Sequence, residues 1–236
     1  MHAIVKRFFS LIIEESKLKR SVFDAVKKTV NKFREQPCIF FTEMDIHSYF
    51  YRCLYSKKIE VKTKDGVITS CLHQEYPTNF RTSQSMEDYG LSKVGQRGHH
   101  DLAVLNPKFI ADFDIKNVVN KDIRDLEVRS RNKEKFRGEL IAIIEMKYVI
   151  SNTSGFIDEI EKDIKKLSIA LKYQDFEAYN LVFCNHKYYF MDELKKAIEK
   201  ADQSIRSLLA ISYYANSKKV TPKPITNGWK ILETSI

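Results

Sequence analysis

From Glu139 to Ile150 the chain reads as one strand whose character changes partway along. Leu140-Ile141-Ala142-Ile143-Ile144 is an apolar run of strand length, and Glu145-Met146-Lys147 continues it without a turn residue. Side chains alternate along a strand, so Glu145 and Lys147 emerge on one face while Ile144 and Met146 take the other. A chain holding such a strand must cover it with other layers. It must also provide for an acid and an amine that are costly to bury unpaired. A same-face ion pair at a sheet margin is one solution, and a chemical site is the other.

The surrounding sequence supplies the covering elements. Ile4, Phe8 and Leu11, then Val22, Val26, Val30 and Phe33, recur at helical spacing on either side of a charged break at Lys17 to Arg20, and Pro37 ends that stretch. A second helix opens at Thr42-Glu43-Met44-Asp45, where Thr42 caps and Asp45 serves as a rough capping-box acid. Lys62 to Gly66 is a turn, and Val67 to Tyr76 is a strand halted by Pro77. A polar loop with Gly90, Gly95 and Gly98 leads into a short strand, His99 to Leu105. Beyond Ile150, the steps of three and four between Ile157, Ile160, Ile164, Leu167 and Leu171 mark an amphipathic helix. Tyr179 to Cys184 and Tyr188 to Met191 read as a strand pair around Asn185-His186-Lys187. A last helix is expected from a capping Asp192 through Leu194, Ile198, Ala201, Ile205 and Leu208. The layout is α/β with a mixed sheet. It divides into a helical appendage over residues 1–36, a core over 37–215 that includes the last helix, and a basic extended tail over 216–236.

Composition narrows the class. With 236 residues, 43% of them hydrophobic and 12% aromatic, the chain is too apolar for a disordered protein and long enough to bury its own core. No uncharged apolar run approaches the ~20 residues that span a bilayer. The stretch from Phe8 to Ile13 leads into charges rather than a small-residue cleavage site, so an intracellular protein, cytoplasmic or nucleoid-associated and without membrane partners, is expected. Cys38, Cys53, Cys71 and Cys184 have no C-x-x-C spacing and read as reduced thiols. Forty Lys and Arg against 31 Asp and Glu give a net charge of +9, which favours a polyanionic partner.

Asp101 opens the strand His100-Asp101-Leu102-Ala103-Val104-Leu105. A neighbouring antiparallel strand would set it beside Glu145, and two converging carboxylates make an oxygen-rich site suited to Mg²⁺, with Mn²⁺ able to substitute. Such a metal would neutralise phosphate charge and activate water, with Lys147 orienting that water or stabilising charge on the phosphorus. His99 and His100 do not make a zinc site, because adjacent strand residues point to opposite faces. The glycine loop lacks the Gly-Lys-Ser/Thr ending of a phosphate-binding loop.

These pieces together resemble the PD-(D/E)XK, or restriction-endonuclease-like, nuclease superfamily. The matching residues are Thr42-Glu43 at a helix head, Glu75-Tyr76-Pro77 closing one strand, Asp101-Leu102-Ala103-Val104 in the next and Glu145-x-Lys147 in the third, over roughly Thr42 to Met191. His100 stands where the family name has proline, and the interval from Asp101 to Glu145 carries an insertion. The resemblance implies a restriction-endonuclease-like core with Asp101, Glu145 and the backbone carbonyl of Met146 as metal ligands. It also implies Lys147 as the catalytic amine and Glu43 as a further acid. The expected activity is Mg²⁺-dependent hydrolysis of DNA, most readily as an endonuclease and a homodimer. The alternative is a non-catalytic nucleic-acid-binding module on the same fold.

Within the insertion, Arg129, Arg131, Lys133, Lys135 and Arg137 occupy every second position. On an extended chain they would form a cationic stripe for a phosphate backbone, and an unbroken strand through Gly138 would give them the parity of Glu145 and Lys147. A solvated loop is the plain alternative. Lys165 and Lys166 are further candidates for phosphate contact.

Overall fold

Five α-helices and eight strands, with a single 3-10 turn at Pro37–Ile39, make up the described residues of the computed structural model, which are 2–55, 59–82, 87–88, 96–114, 116, 136–185 and 189–211. They are α1 (His2–Glu35), α2 (Glu43–Tyr55), β1 (Glu60–Lys62), β2 (Ile68–Ser70), β3 (Leu72–Thr82), β4 (Glu87–Asp88), β5 (Gln96–Leu105), α3 (Pro107–Ala111), β6 (Leu140–Val149), α4 (Gly155–Leu171), β7 (Glu177–Cys184), α5 (Met191–Glu199) and β8 (Ile205–Ile211). The fold is α/β, a mixed sheet flanked by helices. The chain forms two compact units: Met1–Phe23, Leu54–Ile143 and Ile169–Glu177 make the first, and Asp24–Cys53, Ile144–Ser168 and Ala178–Ile236 the second. Helix α1 is continuous through Lys17 to Arg20, because a charged turn on one face does not interrupt a backbone ladder. Its residues are divided between the two units at Phe23 and Asp24.

In the first unit the strands follow the order β4-β3-β5-β6. β1 and β2 form a separate hairpin whose turn needs Gly66, at φ 88°. The strand expected from Val67 to Tyr76 is broken at Cys71, and β3 runs on through Pro77 to Thr82. Pro77 pairs with His99 of β5, and the register between β3 and β5 shifts directly beyond it, between Pro77 and Arg81; β4 pairs only with Arg81 and Thr82. Helix α3, which the sequence pattern did not indicate, is capped by the Asn106 side chain accepting from the Lys108 N–H. Phe109, Phe113 and Phe136 pack together behind it.

In the second unit the order is β6-β7-β8, and β8 runs parallel to β7 from Ala178↔Ile205 to Cys184↔Ile211. Residues Ile205 to Ile211 were expected as the end of a long helix. The helix stops at Glu199, and Asp202 turns the chain by accepting from the Ser204 N–H and hydroxyl. The expected strand at Tyr188 to Met191 is also absent among the described residues. Tyr189 and Phe190 form a turn, α5 begins at Met191, and Phe190 rather than Asp192 is the cap residue. The second unit's core is aromatic. Phe33 of α1 stacks on Phe40 and meets Tyr148 and Phe183 edge-on, which ties α1 to β6 and β7. None of the four cysteines is in a disulfide.

Candidate functional site

β6 is apolar in both layers up to Ile144, then carries Glu145 and Lys147. Each takes a partner of opposite charge from a helix. Glu145 is fully buried, and the Lys166 ammonium of α4 lies 2.8 Å from its Oε2. The same ammonium is 3.1 Å from Oδ1 of Asp163. Lys147 is 3.4 Å from Oε2 of Glu43 on α2 and 3.3 Å from Oε2 of Glu159 on α4. Four carboxylates and two ammoniums therefore gather on the second half of β6 and the two helices beside it.

The placement of Glu43 follows from its helix terminus. Thr42 Oγ1 accepts the Asp45 N–H, while Asp45 Oδ2 accepts the N–H groups of Thr42 and Phe41. This is the reciprocal capping box expected from the sequence, and it fixes Glu43 as the first residue of α2. From there Glu43 Oε2 also accepts the Tyr148 N–H at 2.9 Å, so this acid is held by strand and lysine together. Tyr148 itself donates its hydroxyl hydrogen to the Phe40 carbonyl and receives the Asn185 side-chain amide. Burial pushes its phenol up to about 12, assisted by Cys38, Cys184 and Asp45.

Lys147 is opposed by two effects. Burial by itself lowers its pKa, but Glu43, Asp163 and Glu159 outweigh burial and raise it above the ordinary lysine range. Lys147 is therefore an ammonium at neutral pH. It can neutralise developing negative charge and donate a hydrogen bond to water, but it cannot serve as a proton acceptor.

Glu159, Asp163 and Lys166 were not foreseen in this role. Lys166, a candidate phosphate contact by its charge, is largely enclosed against Glu145 and Asp163. The signal in the sequence is their spacing of four and three, each directly preceding a residue of the apolar stripe Ile160, Ile164 and Leu167. That places them along the border of α4's buried face.

Asp101 lies on β5 in the first unit, half-buried, between the exposed His99 and the apolar Leu102 to Leu105. The register passes from Gln74↔Leu102 to Tyr76↔His100, so Asp101 and Glu75 hold facing positions. Glu75 has φ 49°, the left-handed region that non-glycine residues adopt only at a cost; among the described residues no other non-glycine shares it. His100 is buried and His99 exposed, as opposite faces require. Among the described residues, no group of three or more His, Cys, Asp and Glu side chains is disposed to hold a metal ion. The acids of this region are carboxylates, the donors that hard divalent cations take, and the group that meets Glu145 here is the Lys166 ammonium. Met146, whose carbonyl was expected to contribute, is buried between Glu145 and Lys147 on β6.

Arg129, Arg131, Lys133 and Lys135 lie outside the described residues. Arg137 is exposed in a helical turn, and β6 begins only at Leu140. The strand-wide parity that would align Arg137 with Glu145 and Lys147 is thus lost at Gly138. No described helix is long and apolar enough to cross a membrane. Comparison of the chain with protein-family models, curated proteins and solved structures found no match.

Proposed function

We propose that this protein is a metal-dependent nuclease that hydrolyses DNA phosphodiester bonds as an endonuclease, on a restriction-endonuclease-like core. The observation that carries this reading is the pairing of Lys147 with Glu43 and Glu159 beside a fully buried Glu145, all at one end of an apolar strand. A fold stabilised by apolar packing has no need to concentrate four carboxylates and two ammoniums there, and burying such charges is costly.

In this reading Glu145 and the Met146 carbonyl hold Mg²⁺ or Mn²⁺, with Asp101 carried from the sequence pattern as the further acid. Bound there, the ion supplies phosphate-charge neutralisation and an acidified water. Glu145, now paired with Lys166, would exchange that ammonium for the cation. Lys147, protonated, orients water through its N–H groups and stabilises charge that develops on the phosphoryl oxygens. Glu43 and Glu159 hold that ammonium in place. Arg129 to Lys135 remain sequence-derived phosphate contacts, and the salt dependence of DNA binding measures them: neutralising them flattens the slope. Homodimer formation belongs to the same proposal and is read by light scattering.

The deciding experiment is cleavage of circular and linear, single- and double-stranded DNA with Mg²⁺, Mn²⁺ or EDTA. Asp101→Asn, Glu145→Gln and Lys147→Met should each reduce cutting by about 100-fold or more. Cutting that persists in all three variants would overturn the assignment of the site. Tight binding without cutting would favour the non-catalytic module.

A further inference from the structure

Tyr148 follows Lys147 on β6, and both ends of this residue hold one short segment of chain. Its N–H donates to Oε2 of Glu43 at 2.9 Å, and its hydroxyl donates to the Phe40 carbonyl at 2.8 Å. Between those points lie Phe41 and Thr42, whose N–H groups are taken by Asp45 Oδ2. The entry into α2 is thus fixed to β6 at Phe40 and at Glu43, and to its own first turn in between. All of these residues, with Asn185, belong to the second unit.

The Tyr148 hydroxyl is buried and aimed. A phenol hydrogen can turn about its C–O bond. The Asn185 side-chain amide, just past the end of β7, donates to the phenol oxygen and leaves that hydrogen for the Phe40 carbonyl. Phe33 also stacks on Phe40 and meets Tyr148 edge-on, but those contacts hold the rings and leave open the direction of the carbonyl, which the hydrogen bond sets.

The consequence falls on Lys147. Its ammonium is divided between Glu43 on α2, at 3.4 Å, and Glu159 on α4, at 3.3 Å. Glu159 sits inside a helix of 17 residues, whereas Glu43 is the first residue of its helix and takes its place from the path of the chain at Phe40. Losing the hold on Phe40 would therefore draw Glu43 away and leave the ammonium to Glu159.

We propose that the Tyr148 hydroxyl, aimed by Asn185, is a strut that keeps Glu43 on Lys147, so that the ammonium is directed between α2 and α4 rather than toward α4 alone. This inference rests on the nuclease reading above and adds two positioning residues, which act on the reaction through Glu43 and Lys147.

The test uses the full chain in metal-free buffer with a water-soluble carbodiimide, which joins a carboxylate to an amine in contact with it, followed by mass spectrometry of the digest. Wild type should give both Lys147–Glu43 and Lys147–Glu159 links. Tyr148→Phe keeps the ring and the backbone N–H, and should lower the ratio of the first link to the second about ten-fold, the effect of one hydrogen bond. The Lys147–Glu159 link shows that the variant is folded. With Mg²⁺, kcat for DNA cutting should fall about ten-fold with KM unchanged. Asn185→Ala should move the ratio and kcat the same way by less, because the hydroxyl can still reach Phe40. A ratio unchanged in Tyr148→Phe would overturn the strut. A ratio that falls while kcat stays at the wild-type value would overturn the role in the reaction and leave the nuclease reading intact. Wild type that forms both links but cuts no DNA with Mg²⁺ or Mn²⁺ would remove the nuclease reading, and the positioning role with it.

Discussion

Two buried carboxylates flank the apolar run of β6, and the protein treats them in opposite ways. Glu139, just before the strand, accepts the Tyr76 hydroxyl and the Gln174 side-chain amide, and Gln174 also donates to the Phe136 carbonyl. Those donors are neutral, fully enclosed and drawn from distant parts of the first unit. Glu145, within the strand, is instead met by an ammonium that it shares with Asp163. Its neighbour Lys147 is shared in turn between Glu43 and Glu159 and keeps 18% of its side chain exposed. Neutral donors fix a carboxylate at a low cost in reorganisation. Exchangeable charges with access to solvent suit a site that changes partners. The first arrangement is a staple, and the second has the character of a working site.

The largest effect that would break this contrast comes from Lys166→Met. Removing the ammonium from a fully buried carboxylate should cost about 3–5 kcal/mol in denaturant unfolding. If Glu145 binds a divalent cation, Mg²⁺ or Mn²⁺ at about 100 times its dissociation constant should return roughly 2.7 kcal/mol. A loss of stability that neither ion reverses would make Glu145 a second staple and remove the distinction.

The staple gives the next largest effect. Tyr76→Phe deletes one donor to Glu139 and should destabilise by about 1–3 kcal/mol. That loss should be the same with Mg²⁺ or EDTA, and the rate of DNA cleavage per folded molecule should not change. A metal-dependent response at Tyr76 would show that the two carboxylates are not separate in function.

What the sequence made legible follows the same division between local and distant causes. The strand around Leu140 to Val149, the helix through Ile160, Ile164 and Leu167, and the Thr42/Asp45 box are written in neighbouring residues, so periodicity and capping chemistry reveal them. Ile205 to Ile211 is different. Its short apolar run fits a helix end or a strand, and the parallel pairing with β7 decides the matter from twenty-seven positions away, as the Ala178↔Ile205 register shows. Pro77 misled for a related reason, since the pairing with His99 of β5 carries the strand past a residue that local propensity would end it at. The places of Glu145 and Lys147 on one strand were legible from the strand pattern, and that of Glu43 from the helix start. Their real ionic partners, Glu159, Asp163 and Lys166, were not, because the side of α4 that faces β6 is set by tertiary packing.

The capping box tests how far the working site depends on local structure. Thr42→Ala should cost about 1 kcal/mol, less than either change above. If Glu43 owes its position to the box, this small loss of stability should come with a disproportionate fall in cleavage. Equal, proportionate losses would mean that the Tyr148 N–H and Lys147 alone hold Glu43.

The smallest effect is a pH dependence at Asp45. The N–H groups of Phe41 and Thr42 hold its carboxyl below the ordinary aspartate value against an opposing effect of burial, and the Thr42 hydroxyl adds the smallest contribution. A carboxylate whose folded pKa is depressed stabilises the fold fully above its unfolded value, about 3.9, and that contribution disappears as pH falls through the lower folded value. Unfolding midpoints of wild type and Asp45→Asn should therefore differ most from about pH 5 upward and converge in acid. Asparagine keeps an oxygen acceptor but not the charge, so the difference isolates the ionised cap. Raising salt should narrow it only slightly, because the acceptor is hydrogen-bonded to its donors rather than merely near a charge. A gap that persists unchanged below pH 3 would assign the effect to side-chain packing, and α2 would then have a start that does not depend on the box that sets Glu43 against Lys147.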